Sequence, residues 1–157
     1  MTNGRTEVWD DDCAPEELAF WGVASGVEPL VLRDETPPQV YDLEERTSRF
    51  GEQVILFAKK IAWSPVNNRL IDQLVGAGTS VGANYCEADD GVSRADFKHC
   101  ISISRKEARE TKFFLRMIAT AEPKLKDEAR AVRREAHELH RIFSRIWRST
   151  HVNAKHK

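Results

Sequence analysis

Apolar residues recur every three to four positions through four consecutive segments of this 157-residue chain. In the last segment, residues 122–150, they share one face of a helical wheel: Leu125, Ala129, Val132, Ala136, Leu139, Phe143, Ile146 and Trp147. This spacing is typical of amphipathic α-helices, and the four segments show no strand-like alternation. Four such helices with short connections can bury their apolar faces against one another. The sequence therefore predicts an all-α fold, an antiparallel up-down-up-down four-helix bundle.

Proline, glycine and serine residues mark the ends of the predicted helices. Ser64-Pro65 separates the first two helices, because proline lacks the backbone N–H that a helix interior needs. Gly91 is expected to end the second helix, Ser93 to cap the third, and Pro123 to begin the first turn of the fourth. The four helices are expected over residues 41–63, 67–90, 93–120 and 122–149.

Charge is divided unevenly along the chain. Residues 1–46 contain 12 acidic and 3 basic residues, a balance of −9, and residues 47–157 contain 13 acidic and 21 basic residues, a balance of +8. This asymmetry suggests an acidic tail attached to a basic binding domain. Three regions are predicted: an acidic, flexible extension over 1–40, the bundle over 41–149 and a polar tail over 150–157. Trp9 and Trp21 leave open that the extension packs onto the bundle.

The cysteine count and the apolar runs favour a cytoplasmic protein. Three cysteines, an odd number without a C-x-x-C pair, fit free thiols better than a disulfide framework. No apolar run is long enough to cross a bilayer, and the first residues lack the pattern of a secretory signal. We therefore expect no membrane partner.

Small residues are concentrated in the second predicted helix, where Gly76, Gly78 and Gly82 lie within seven positions. Glycine in a helix costs about 1 kcal/mol relative to alanine, so three of them indicate close contact between two helices. Gly78 to Gly82 also matches G-x-S-x-G, and Gly76 to Gly82 superficially matches a dinucleotide-type glycine pattern. Both of those motifs require a preceding strand, which an amphipathic helix does not supply.

Other chemical motifs also favour a non-enzymatic protein. The chain has no E-x-x-H of the di-iron bundles, and the spaced pairs Asp96/His99 and His137/His140 are expected on exposed faces. We expect no metal, no cofactor and no catalytic residue. Glu107 falls on an apolar face, where a carboxylate must be paired or protonated. With Asn84 it is interpreted as part of a structural polar network that fixes helix register.

Two single-signed basic stripes lie opposite the apolar faces of the third and fourth helices. Such stripes fit phosphate contacts, with strong salt dependence and weak sequence specificity. The alternatives are a merely solvated surface, or a scaffold surface that docks an acidic protein or residues 1–46. Phe113 points outward, which suggests a subunit contact, and interleaved aromatics for base stacking are not evident. The candidate nucleic-acid contacts are Lys98, Arg105, Arg109, Lys112, Arg116, Arg130, Arg134, Arg141, Arg145 and Arg148.

Three segments carry a resemblance to a known family. They are SVGANYCEA at residues 80–88, SRADF at 93–97 and KEARET at 106–111. In this order they resemble the four-helix-bundle family named for ribosomal RNA intervening sequences, whose relatives include accessory variability proteins of diversity-generating retroelements. The resemblance covers residues 41–149.

The resemblance implies an antiparallel bundle that assembles into a ring-shaped homo-oligomer, typically a pentamer, with a basic surface. In the retroelement relatives it implies binding to nucleic acid, RNA or RNA/DNA, and to a reverse transcriptase, and it implies no catalytic activity. Asn84, Glu87, Glu107 and Glu110 match recurring positions of the family and are expected at helix-packing or subunit contacts. The acidic extension departs from typical members.

Overall fold

The computed structural model describes residues 19–22 and 42–152, and the side chains of these residues through Thr150. The chain divides into two units, Met1–Tyr41 and Asp42–Lys157. In the first unit, residues 19–21 form one helical turn that Gly22 ends with a φ of 70°. The predicted extension otherwise lies outside the described residues, as does the end of the predicted polar tail.

Four long helices form the second unit: α1 (Leu43–Ala58), α2 (Pro65–Asp89), α3 (Arg94–Ala121) and α4 (Lys126–Val152). A 3-10 turn, Pro123–Leu125, joins α3 to α4. The described residues contain no strand, which confirms the predicted all-α bundle. Within the same residues, no helix is both long enough and apolar enough to cross a bilayer.

Side-chain caps begin the first three helices where the sequence supplies a short polar residue. Asp42 Oδ1 accepts from the Glu45 N–H, Ser64 Oγ from Asn67, and Ser93 Oγ from Asp96. Each bond satisfies one of the N–H groups that a helix N-terminus leaves without an intrahelical partner. The predicted capping role of Ser93 is confirmed.

The first helix ends at Ala58 and not at residue 63 as predicted. Lys60 and Ile61 donate to carbonyls only three residues back, which tightens the chain into a turn. Ser64 is fully extended, with φ −160° and ψ 160°, because the residue before a proline avoids the helical region. Ile61 is nevertheless buried, so the apolar periodicity of the sequence continues beyond the end of the helix.

Gly91 follows the end of α2 as predicted, but not in the left-handed conformation usual for that position. Among the described glycines only Gly22 has a positive φ. A Cβ at Gly91 would instead lie 2.9 Å from the Ala88 carbonyl oxygen. Close approach to the end of α2 therefore explains the glycine.

The glycines of α2 differ in the space around them. A Cβ at Gly78 would lie 2.8 Å from both γ-carbons of Val54, and one at Gly82 would lie 3.2 Å from Thr47 Oγ1. A Cβ at Gly76 would meet no heavy atom within 4 Å. The predicted close helix contact is thus confirmed for α1 against α2 at Gly78 and Gly82, and is wrong for Gly76.

Successive helices pack side by side around a common core, and α1 meets α4 less extensively. Arg46 and Lys60 of the α1 region bridge that seam by ion pairs to Glu135 and Glu128 of α4. At one end, Asn67 donates to the Ala62 carbonyl and to Glu122 Oε1, tying the α1–α2 connection to the end of α3. The largest fully buried apolar side chains of this unit include Phe50, Leu74, Ile101, Leu115, Leu139 and Phe143.

Candidate nucleic-acid interface

Two side-chain contacts fix the alignment of α3 with α4. Lys112 Nζ lies 3.1 Å from His137 Nδ1, and the Arg105 guanidinium carbon lies 4.4 Å from the Trp147 ring centroid. The helices therefore run antiparallel, and interpolation between these contacts places Arg109 level with Arg141. Arg105 and Lys112 of the α3 stripe lie at this seam, and the α4 stripe lies on the outward side of the neighbouring helix, away from Trp147. We call this surface the basic face: Lys98, Arg105, Arg109, Lys112, Arg116, Arg130, Arg134, Arg141, Arg145 and Arg148.

Exposure divides the basic face into two groups. Arg109, Arg134, Arg145 and Arg148 are exposed, and the other six candidate residues are half-buried. Half-buried lysine and arginine side chains commonly lay their methylene stems along apolar surface and keep the charged group at the edge. The basic face therefore combines fully projecting cations with cations held close to the helices.

Several of these cations already make contacts within the bundle. Arg130 pairs with Asp127 at 3.1 Å, Arg141 with Glu138 at 3.5 Å, and Arg148 Nε donates to the Ser144 carbonyl at 3.2 Å. Surface ion pairs of this kind contribute about 0–1 kcal/mol. A phosphate can therefore replace such a carboxylate partner at small cost.

Arg109 and Arg145 are two of the four exposed members of the basic face. Both are exposed, and within residues 42–150 neither takes part in an ion pair or a hydrogen bond through its side chain. Their charges are available to an external anion without displacing an internal partner from this part of the chain.

His137 corrects the prediction of a surface histidine, because it is only 1% exposed. The Lys112 ammonium group can only donate, so Nδ1 of His137 accepts that hydrogen bond. Arg133, one turn earlier on α4, is fully buried and was not among the predicted site residues. Each of the two directly follows a core residue, Val132 or Ala136, but this adjacency is a weak signal, because Arg130 also follows buried Ala129 and is only half-buried.

The proposed polar network around Glu107 is not formed as a direct pair with Asn84. Asn84 Nδ2 donates to the Ser80 carbonyl of its own helix, and no hydrogen bond joins Asn84 to Glu107 in residues 42–150. Glu107 is half-buried on α3. Burial, followed by the neighbouring Glu110 charge, raises the pKa of the Glu107 carboxyl. One turn away, Ser104 is fully buried and its Oγ has no hydrogen-bond partner among the described residues.

Phe113 projects from α3 with 56% of its surface exposed, as the sequence predicts. It lies one turn after Arg109 and one turn before Arg116, so a cation flanks it on either side along the helix. Its ring makes a T-shaped contact with Phe114, with centroids 5.3 Å apart. An exposed aromatic ring is thus interleaved with cations of the basic face, which corrects the expectation from the sequence that no such aromatic is present.

Metal-ligand residues are not gathered in the described part of the chain. There, no group of three or more histidine, cysteine, aspartate or glutamate side chains is arranged to hold a metal ion. Cys86 and Cys100 are free thiols, and burial raises the pKa of both. Cys13 lies outside the described residues.

Two comparisons with known proteins found similar proteins. A family model described as "23S rRNA-intervening sequence protein" matches residues 41–145. The crystal structure of a protein of unknown function from the S23 ribosomal protein family of Bacteroides thetaiotaomicron is 26% identical, with a TM-score of 0.59. That similarity covers 67% of this chain and 97% of the other. A search of curated proteins found no match.

Proposed function

Because this chain belongs to the 23S rRNA-intervening sequence protein family, we propose that it is a non-enzymatic, homo-oligomeric protein that binds structured RNA. The basic face of α3 and α4 contacts phosphates of the RNA backbone. The observation that carries this proposal is the antiparallel alignment of α3 with α4, which brings two basic stripes onto neighbouring helices. An intervening sequence in ribosomal RNA is itself RNA, and this favours RNA as the anion.

The dimensions of the basic face suit a nucleic-acid backbone. The 28 residues of α3 correspond to a length of about 42 Å at 1.5 Å per residue. Cations distributed over that length can meet several successive phosphates, and phosphate contacts carry no base sequence directly. The +8 balance of residues 47–157 adds long-range attraction for a polyanion. Binding is therefore strongly salt-dependent and weakly sequence-specific.

Exposed apolar side chains support the homo-oligomeric part of the proposal. Leu56, Trp63 and Val66 lie in and beside the α1–α2 connection with 60%, 81% and 64% of their surface exposed. Large exposed apolar side chains near one connection suit a subunit contact. A pentameric ring, and an accessory role beside a reverse transcriptase, rest on the family resemblance. Light scattering of the purified chain measures the subunit number.

The test compares two double charge reversals in the full chain. Arg109→Glu with Arg145→Glu changes the basic face, and Lys59→Glu with Arg69→Glu changes exposed positions outside it by the same charge. Binding of a labelled RNA hairpin is measured over a range of salt concentrations. We expect the first variant to bind more weakly and its log–log salt slope to fall by about 1.5, as for two lost phosphate contacts.

The control variant should retain the affinity and the salt slope of the original chain. Equal weakening by both variants would mean that net charge alone attracts RNA, and the basic face would lose its assignment. Absence of RNA binding by the unaltered chain at low salt would refute the proposal. In that case the basic face fits the alternative ligand, an acidic protein, better.

A further inference from the structure

Within residues 94–121, Phe113 is the only large apolar side chain that is exposed. It lies on the outward, charged side of α3. At 56% exposure its ring offers a broad surface to solvent. Arg109 and Arg116 precede and follow it by one turn, so both cations share its side of the helix. Proteins that bind single-stranded nucleic acids commonly place an aromatic ring between cations. The ring stacks on a base, and the cations neutralise the neighbouring phosphates.

Resting on the proposed RNA binding, we propose that Phe113 stacks an unpaired RNA base whose neighbouring phosphates lie on Arg109 and the adjoining cations. The substrate class is therefore RNA with at least one unstacked base, in a loop, a bulge or a single strand, and not a fully paired helix. Phe113 has the role of a base-binding residue, and the rest of the basic face holds the backbone.

The neighbouring ring prepares Phe113 for this role. Phe114 meets it edge to face, with an interplanar angle of 80° and a centroid separation of 5.3 Å. Such aromatic pairs have a preferred geometry, so the contact restrains the Phe113 ring. A restrained ring loses less side-chain entropy when a base stacks on it. The π-face of any base can stack on phenylalanine, so this contact adds preference for unpaired RNA without reading its sequence.

Two oligoribonucleotides of equal length separate stacking from charge. One is a short oligoadenylate, and the other carries abasic nucleotides, which retain the phosphates and remove the bases. The unaltered full-length chain should bind oligoadenylate roughly 5- to 150-fold more tightly than the abasic strand, the ratio that base–aromatic stacking supplies. Phe113→Leu should abolish this ratio and leave the affinity for the abasic strand unchanged. Phe113→Trp should preserve the ratio.

Val92→Ala is the control, because it shortens an apolar side chain that is 97% exposed outside the basic face. The ratio should survive this change. Equal affinity of the unaltered chain for both strands would overturn the stacking proposal while phosphate binding stands. Failure to bind either strand at low salt would instead refute RNA binding itself. A change of particle mass in Phe113→Leu by light scattering would assign the ring to a subunit contact and overturn the proposal.

Discussion

A Cβ atom at Gly78 of α2 would lie 2.8 Å from both γ-carbons of Val54 on α1. Val54 is fully buried and β-branched, so it cannot rotate away freely. We expect overpacking in Gly78→Ala to lower the free energy of unfolding by about 1–3 kcal/mol. The higher helix propensity of alanine offsets about 1 kcal/mol of this loss. Urea denaturation followed by circular dichroism, at a fixed protein concentration, measures the net change.

Gly76→Ala supplies the control for this substitution within the same helix. A Cβ there meets no heavy atom within 4 Å, so only the helix propensity changes, and we expect a gain of about 0.5–1 kcal/mol. In a Val54→Ala background, Gly78→Ala should also become stabilising, because its methyl group then has space. Equal stability of the two single glycine variants would show that α1 and α2 separate readily at Gly78.

The ion pair between Arg46 and Glu135 should contribute more than an ordinary surface pair. Arg46 Nε and Nη2 donate to the two carboxylate oxygens at 2.6 and 3.0 Å, and both side chains are only 27% exposed. A double-mutant cycle with alanine at both positions should give a coupling free energy of about 1–2 kcal/mol, as expected for a charge-assisted, bidentate contact.

The pair between Arg49 and Glu45 provides the comparison on the same helix. Its side chains are 71% and 55% exposed, and it has the ordinary i, i+4 spacing. The same cycle should give about 0.3–0.5 kcal/mol there. A coupling for the first pair no larger than for this one would mean that packing alone holds α1 against α4.

The number of helices, their approximate limits and the caps could be predicted because these features depend on local sequence. A polar residue before a helical period, or a proline after a serine, acts within one turn. The end of α1 could not be predicted, since Ile61 continues the apolar period. Ile61 is buried although it lies in the turn that follows the helix. Periodicity reports which side chains are buried and not the conformation that buries them.

In the candidate site too, features set by local sequence could be predicted, and contacts between helices could not. A helical wheel places the arginines of α3 and α4 on outward faces, but it does not say which helices are neighbours or how they are aligned. Lys112 against His137 and Arg105 against Trp147 supply that alignment. The helical wheel places His137 on the surface and does not mark Arg133 as buried. Both are buried because the buried side of α4 extends beyond its apolar residues. Burial of a cation depends on what packs against it, which a single sequence does not contain.

Glu107 should make the stability of the bundle depend on pH in the direction opposite to that of an ion-paired carboxylate. Burial and the Glu110 charge raise the pKa of Glu107 in the folded chain, so the folded state holds this proton more tightly than the unfolded state. Its contribution to the free energy of unfolding therefore falls as the pH rises from the ordinary glutamate range through the raised pKa. Glu107→Gln should be more stable than the original chain at neutral pH, with the difference vanishing in acid.

Urea denaturation at several pH values tests this, with Glu52→Gln on the exposed side of α1 as the control. The control should follow the original chain at each pH, because removing an exposed carboxylate costs little. If Glu107→Gln were instead less stable at neutral pH, the carboxylate would be favourably paired, and the family position would be an ionic subunit contact. Repeating the comparison at a lower protein concentration separates these cases, since only a subunit contact makes the difference depend on concentration.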